Sequence, residues 1–85
     1  MNASLATVYS HEQRKANHAV HTVEEAFFHN PVQEEARDGK QLVIRRVDDL
    51  ILIEAFGRNR CLGEQAKELF KGERDAAERF LATLF

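Results

Sequence analysis

The chain reads as an α+β domain with one amphipathic helix, a two-stranded antiparallel β-hairpin and two further helices (α-β-β-α-α). Three observations predict this. Apolar residues recur at helical spacing before Pro31, β-branched residues crowd Gln41 to Gly57, and helical spacing returns between Leu62 and Leu84. The hairpin is apolar on both faces, so its sheet is expected to be extended or covered by a second subunit.

The 85 residues suit a single domain, 1–85, with residues 1–9 expected to be loosely ordered. Ser10 is placed as an N-cap, and Gln13 completes a capping-box pattern. Ala16, Ala19, Val20, Val23, Ala26 and Phe27 then form an apolar stripe on a helix reaching Phe28 or His29. Pro31 stops it, because the residue before a proline avoids helical geometry. Residues 32–40, VQEEARDGK, read as a charged connector with room for one helical turn before Gly39.

Within the hairpin, Asp48-Asp49 marks a two-residue turn. If Val47 faces Leu50, Ile44 pairs with Ile53 and Leu42 with Ala55. One face then carries Leu42, Ile44, Ile51, Ile53 and Ala55, with Arg46 near the turn. The other carries Val43, Val47, Leu50, Leu52 and Phe56, with Arg45 and Glu54 among them.

Burying one Leu or Ile side chain stabilises by about 1.5–3 kcal/mol. A small domain has only about 5–15 kcal/mol in total, so a second wet apolar face is disfavoured. The second face, with Val43, Val47, Leu50, Leu52 and Phe56, is therefore expected to be a homodimer interface. A two-fold pairing of hairpins into a four-stranded sheet would also remove an exposed edge. The alternative is a monomer whose helices sandwich the hairpin.

After the hairpin, Gly57-Arg58-Asn59-Arg60 breaks the strand. Leu62 to Lys71 is expected to be helical, with Leu62, Ala66, Leu69 and Phe70 on one side and Gly72 as a C-cap. Residues 73–84 form the last helix, with Ala76, Ala77, Phe80, Leu81 and Leu84 facing inward.

A hydrophobic fraction of 44%, a charged fraction of 31% and a formal charge of −2 suit a soluble globular chain. They recommend neither nucleic acid nor an anionic membrane as an electrostatic partner. Cys61 is the single cysteine, which fits a reducing cytoplasm and leaves no internal disulfide. The first residues lack a signal-peptide pattern, and no apolar run approaches the roughly 18–20 residues that span a bilayer. A cytoplasmic location without membrane contact is expected.

Three clusters could carry chemistry. Arg45, Arg46, Arg58 and Arg60 form a candidate partner- or anion-binding group near an expected helix start. GRNRCLGE lacks P-loop spacing, and Arg45 and Arg46 could equally pair with Glu54, Asp48 or Asp49. His18, His21 and Glu25 share a helix face within about 60° and are weak metal candidates. A further ligand is not evident, so neither metal nor other cofactor is expected. Cys61, Tyr9 and the Glu24/Glu25 pair lack a base and an orienting partner in the sequence, so the chain is not expected to be an enzyme.

The phrase RRVDDLILIEAFGRNR resembles the strand pairs of small toxin-like ribonucleases over about a fifth of the chain. Those sheets contain more strands, and no residue role is carried over. The size and element order also suit small regulators or inhibitors encoded by phages and other mobile elements, an analogy of shape alone. The expected function is that of a non-enzymatic protein-interaction, regulatory or inhibitor-type domain, acting as a homodimer on a macromolecular partner, with another protein as the expected one. The alternative is a phosphate-, RNA- or nucleotide-binding regulator using the four arginines.

Overall fold

Four antiparallel strands, rather than two, organise the protein. The computed structural model describes residues 11–57 and 66–85. Its elements run α1 (His11–Phe28), β1 (Val32–Glu35), β2 (Gln41–Val47), β3 (Leu50–Phe56), β4 (Lys67–Gly72) and α2 (Arg74–Leu84). The strands form one sheet in the order β1-β2-β3-β4. The order is therefore α-β-β-β-β-α, which overturns the expected α-β-β-α-α arrangement with its two-stranded hairpin.

Helix α1 ends where Pro31 requires, with the His29 N–H donating to the Glu25 carbonyl at 2.9 Å. Its stripe buries Ala19, Val23 and Ala26, small side chains that let a helix approach a sheet closely. The capping role of Ser10 and the expected looseness of residues 1–9 lie outside the described residues.

Segment 32–40 is not a connector. It holds β1 and a tight turn into β2. Val32 lies opposite Ile44 and Glu34 opposite Leu42, while Gln33 and Glu35 are exposed. The strand has two-residue periodicity in burial, but a glutamate at an inward position hides it from an apolar pattern. In the turn, Gly39 takes φ 92°, its N–H donates to Ala36 (2.9 Å), and the Ala36 N–H donates to Lys40 (2.9 Å). The Asp38 carboxylate accepts from the Lys40 N–H at 3.0 Å. Asp-Gly serves such turns because glycine enters the left-handed region without a Cβ clash.

The hairpin register is the one derived from residue type: Val47 faces Leu50, Ile44 faces Ile53 and Leu42 faces Ala55. Asp48 supplies the turn with φ 56°, a conformation that Asp tolerates better than most residues.

The expected helix over Leu62–Lys71 is also overturned. Its described part is β4, paired with β3 from Ile51↔Gly72 to Ala55↔Lys67, with a bulge between Ile53 and Glu54. The three- and four-residue spacing of Ala66, Leu69 and Phe70 suits a helix, yet β3 offers an unpaired edge that a strand satisfies. Pairing that edge outweighs local spacing. Gly72 is not a C-cap. A Cβ there would lie 2.8 Å from Cζ of Phe70, whose ring stacks on Phe80 with centroids 5.2 Å apart.

Both helices pack on the same face of the sheet. Leu42, Ile44, Ile51, Ile53 and Ala55 are each no more than 5% exposed beneath Ala19, Val23, Ala26, Ala77 and Leu81. The β1–β2 turn then grips the end of α2. The Arg37 N–H donates to the Leu84 carbonyl at 2.7 Å, and its guanidinium donates to Thr83 at 3.3 Å. A cation and two donors there satisfy carbonyls that a helix end leaves open.

The sheet is thus extended within one chain, not by a second subunit pairing hairpin to hairpin. Its edges resist further pairing. β1 is 4 residues long with an exposed glutamate, and β4 carries a bulge, Lys67 and Lys71. Among the described residues, no helix is long and apolar enough to cross a membrane.

Candidate interaction surface

The face turned away from the helices is built by strand alternation. Successive side chains point to opposite sides, so placing Leu42, Ile44, Ile51 and Ile53 inward sends Val43, Arg45, Val47, Leu50, Leu52, Glu54 and Phe56 outward. None of the described helices lies over that outer face. Val43, Val47, Leu50 and Phe56 are half-buried, and Leu52 in the middle is buried, with 7% exposed. β1 adds Gln33 and Glu35 to one margin, and β4 adds Glu68 and Lys71 to the other.

One ion pair stands at its centre. Arg45 Nε donates to Glu54 Oε1 at 3.1 Å, diagonally across β2 and β3. Glu54 is mostly covered, with 19% of its side chain exposed, while Arg45 keeps 43%. The surface therefore has an apolar middle pierced by one neutralised charge pair, with Gln33, Glu35, Glu68 and Lys71 at the rim. An apolar centre with a polar margin is the usual anatomy of a protein interface.

The four candidate arginines are not gathered into one site. Arg45 and Arg46 are neighbours on a strand and project to opposite faces. Arg46 is occupied in holding the fold. Its Nε donates to the Asp48 carbonyl at 2.6 Å, Nη1 to Phe27 at 3.4 Å and Nη2 to Asp49 at 3.3 Å. The guanidinium also lies 4.2 Å from the Phe27 ring centre, and that of Arg74 lies 4.6 Å from it. These contacts fasten the end of α1, the hairpin turn and the start of α2 around one aromatic ring. Arg58 and Arg60 lie outside the described residues, as do Tyr9 and Cys61.

The histidine stripe also separates. His18 Nε2 meets Oε1 of Glu34 on β1, and its ring lies 4.5 Å from that of Phe85. It fastens α1 to the sheet margin and to the residue after α2. His21 and Glu25 are exposed on α1. Among the described residues, no three His, Cys, Asp or Glu side chains are grouped to hold a metal ion.

An open cleft of about 600 Å³ lies beside Phe27, lined also by Asp49, Glu73, Arg74, Asp75 and Glu78. Two of its acids are met from outside the lining: Asp49 by Arg46 at 3.3 Å and Asp75 by Arg79 at 3.8 Å. Sequence reasoning did not find this cleft, because Asp49 and Glu73 come together only through the fold. It also missed Glu68 and Lys71 as outer-face residues, since that required reading β4 as a strand. Comparison with protein-family models, curated proteins and solved structures gave no match, so the functional reading rests on this chain's own residues.

Proposed function

We propose that this chain is a non-catalytic interaction domain that docks a macromolecule on the outer face of its sheet. The observation behind this reading is the placement of Val43, Val47, Leu50, Leu52 and Phe56 together on the face opposite both helices. A contiguous apolar area rimmed by polar groups marks a docking surface more often than idle surface. A domain of this size would act by occupying a surface, which is how a small regulator or inhibitor works. The Arg45–Glu54 pair at the centre would select a partner that offers opposite charges.

Phosphate, RNA or nucleotide binding has less support, because Arg45 and Arg46 point apart and Arg46 is held by Asp48, Asp49 and Phe27. Catalysis has less still: the Glu24/Glu25 pair is exposed on α1. The single cysteine supports a reducing compartment, the cytoplasm in our reading.

Melting Val43→Thr and Leu50→Ser at low protein concentration tests whether the face is available. For a domain of this size a loss of 1 kcal/mol lowers Tm by about 4–8 °C. An available face predicts a change smaller than about 4 °C for either variant. A larger fall would mean that the chain itself covers these side chains, and the proposal would fail.

A further inference from the structure

We infer that the occupant of the outer face is a second copy of this chain, stacked sheet against sheet about a two-fold axis perpendicular to the strands. The inference rests on the docking reading above and adds the identity of the partner.

The outer side chains fall into rows across the sheet, fixed by the strand register. Glu35, Gln41 and Phe56 form one row, and Gln33, Val43, Glu54 and Glu68 the next. Arg45, Leu52 and Lys71 follow, then Val47 and Leu50. The second row thus carries carboxylates, and the third carries cations. An axis between these two rows lays each over the other row of the partner. Glu68 then meets the partner's Lys71, and Lys71 meets the partner's Glu68, the reciprocity that a two-fold contact imposes. Near the axis, Arg45 lies over the partner's Val43 and Glu54 over the partner's Leu52, with the partner's Glu54 one strand across from Arg45 and the partner's Arg45 one strand across from Glu54. At one end, Gln41 lies over the partner's Val47.

This charge pattern argues for a copy rather than an apolar partner. An apolar helix laid over this face would desolvate Arg45 and Glu54 and offer them nothing in return. A second copy brings the same charges in inverted order. Edge-to-edge association is disfavoured by the guarded edges of β1 and β4. Aligned face-to-face stacking of two sheets is a standard packing, with the sheets about 10 Å apart.

The area sets the strength. Strands of 4, 7, 7 and 6 residues, at about 3.4 Å per residue and about 4.8 Å apart, span roughly 390 Å² of plane, or about 780 Å² over two copies before side-chain relief. Specific interfaces begin at about 1,000 Å², so this one belongs at the weak, micromolar end.

Light scattering on the full chain, across micromolar to several hundred micromolar, tests the inference with a charge exchange. The wild-type mass is expected to rise from one copy to two. Glu68→Lys alone and Lys71→Glu alone each place like charges together, weakening self-association by about tenfold or more. Mixing the two single variants restores the pairing, because each supplies the charge that the other lost. Glu68 and Lys71 are exposed, so neither substitution disturbs the core. A constant one-copy mass for the wild type overturns the second copy, as does a dimer indifferent to both substitutions. If the mass stays at one copy while Val43→Thr and Leu50→Ser melt like the wild type, the docking reading stands with a different occupant.

Discussion

The two faces of the β2–β3 hairpin carry apolar residues in equal number and meet different fates. Leu42, Ile44, Ile51, Ile53 and Ala55 lie beneath two helices, whereas Val43, Val47, Leu50, Leu52 and Phe56 lie under neither. Hydrophobicity alone does not explain the choice. Arg45 and Glu54 stand in the middle of the outer face, while Arg46 sits at the inner margin, where its head reaches the turn and the end of α1. A helix covering the outer face would strip water from Arg45 and Glu54 at its middle, whereas the charges of the inner face, Glu34 and Arg46, lie at its margins, where Glu34 meets His18 and Arg46 stays 44% exposed. The central charge pair thus adds to the cost of covering the outer face.

The largest effects should come from the inner face. Ile53→Ala or Ile44→Ala removes a fully buried side chain and should cost about 2–5 kcal/mol in urea unfolding. Leu50→Ala on the outer face should cost less than about 1 kcal/mol when measured below the association range. Equal losses would abolish the distinction between the faces.

The two arginines provide a finer comparison. Arg46→Ala removes three hydrogen bonds and a ring contact and should destabilise by about 1–2 kcal/mol. Arg45→Ala loses one half-exposed ion pair, with an expected cost of about 0–1 kcal/mol. A double-mutant cycle with Glu54→Ala would show whether that pair couples at all.

The two turns give the smallest effects. Gly39→Ala forces a Cβ into φ 92° and should cost about 1 kcal/mol or slightly more by thermal melting. Asp48→Gly relieves a left-handed residue at φ 56° and should change stability by less than about 1 kcal/mol, in the favourable direction. A loss at position 48 would show that the aspartate side chain contributes more to the hairpin than its backbone strain removes.

Much of the hairpin was legible because its evidence is local. Residue type, a two-residue turn and alternation fix which side chains share a face, and the register follows. β1 is only partly legible. Asp38-Gly39 is a stronger turn signal than Asp48-Asp49, but VQEE lacks the apolar alternation that marks a strand. β4 was not legible locally, because Ala66, Leu69 and Phe70 keep helical spacing whether or not a helix forms. Of the candidate site, the apolar side chains of β2 and β3 were readable. The rim at Glu68 and Lys71 needed β4, and the separation of Arg45 from Arg46 follows from strand alternation once the strand is given.

By itself, the sequence determined α1, the β2–β3 register and the composition of each strand face, since each depends on spacings of a few residues. Only the tertiary structure decided that 67–72 would complete the sheet, that both helices would share one face, and that Arg46 would bind to Phe27 and the hairpin turn. Those outcomes depend on residues far apart in the chain competing for the same hydrogen bonds and the same dry surface, a competition that no local window of residues records.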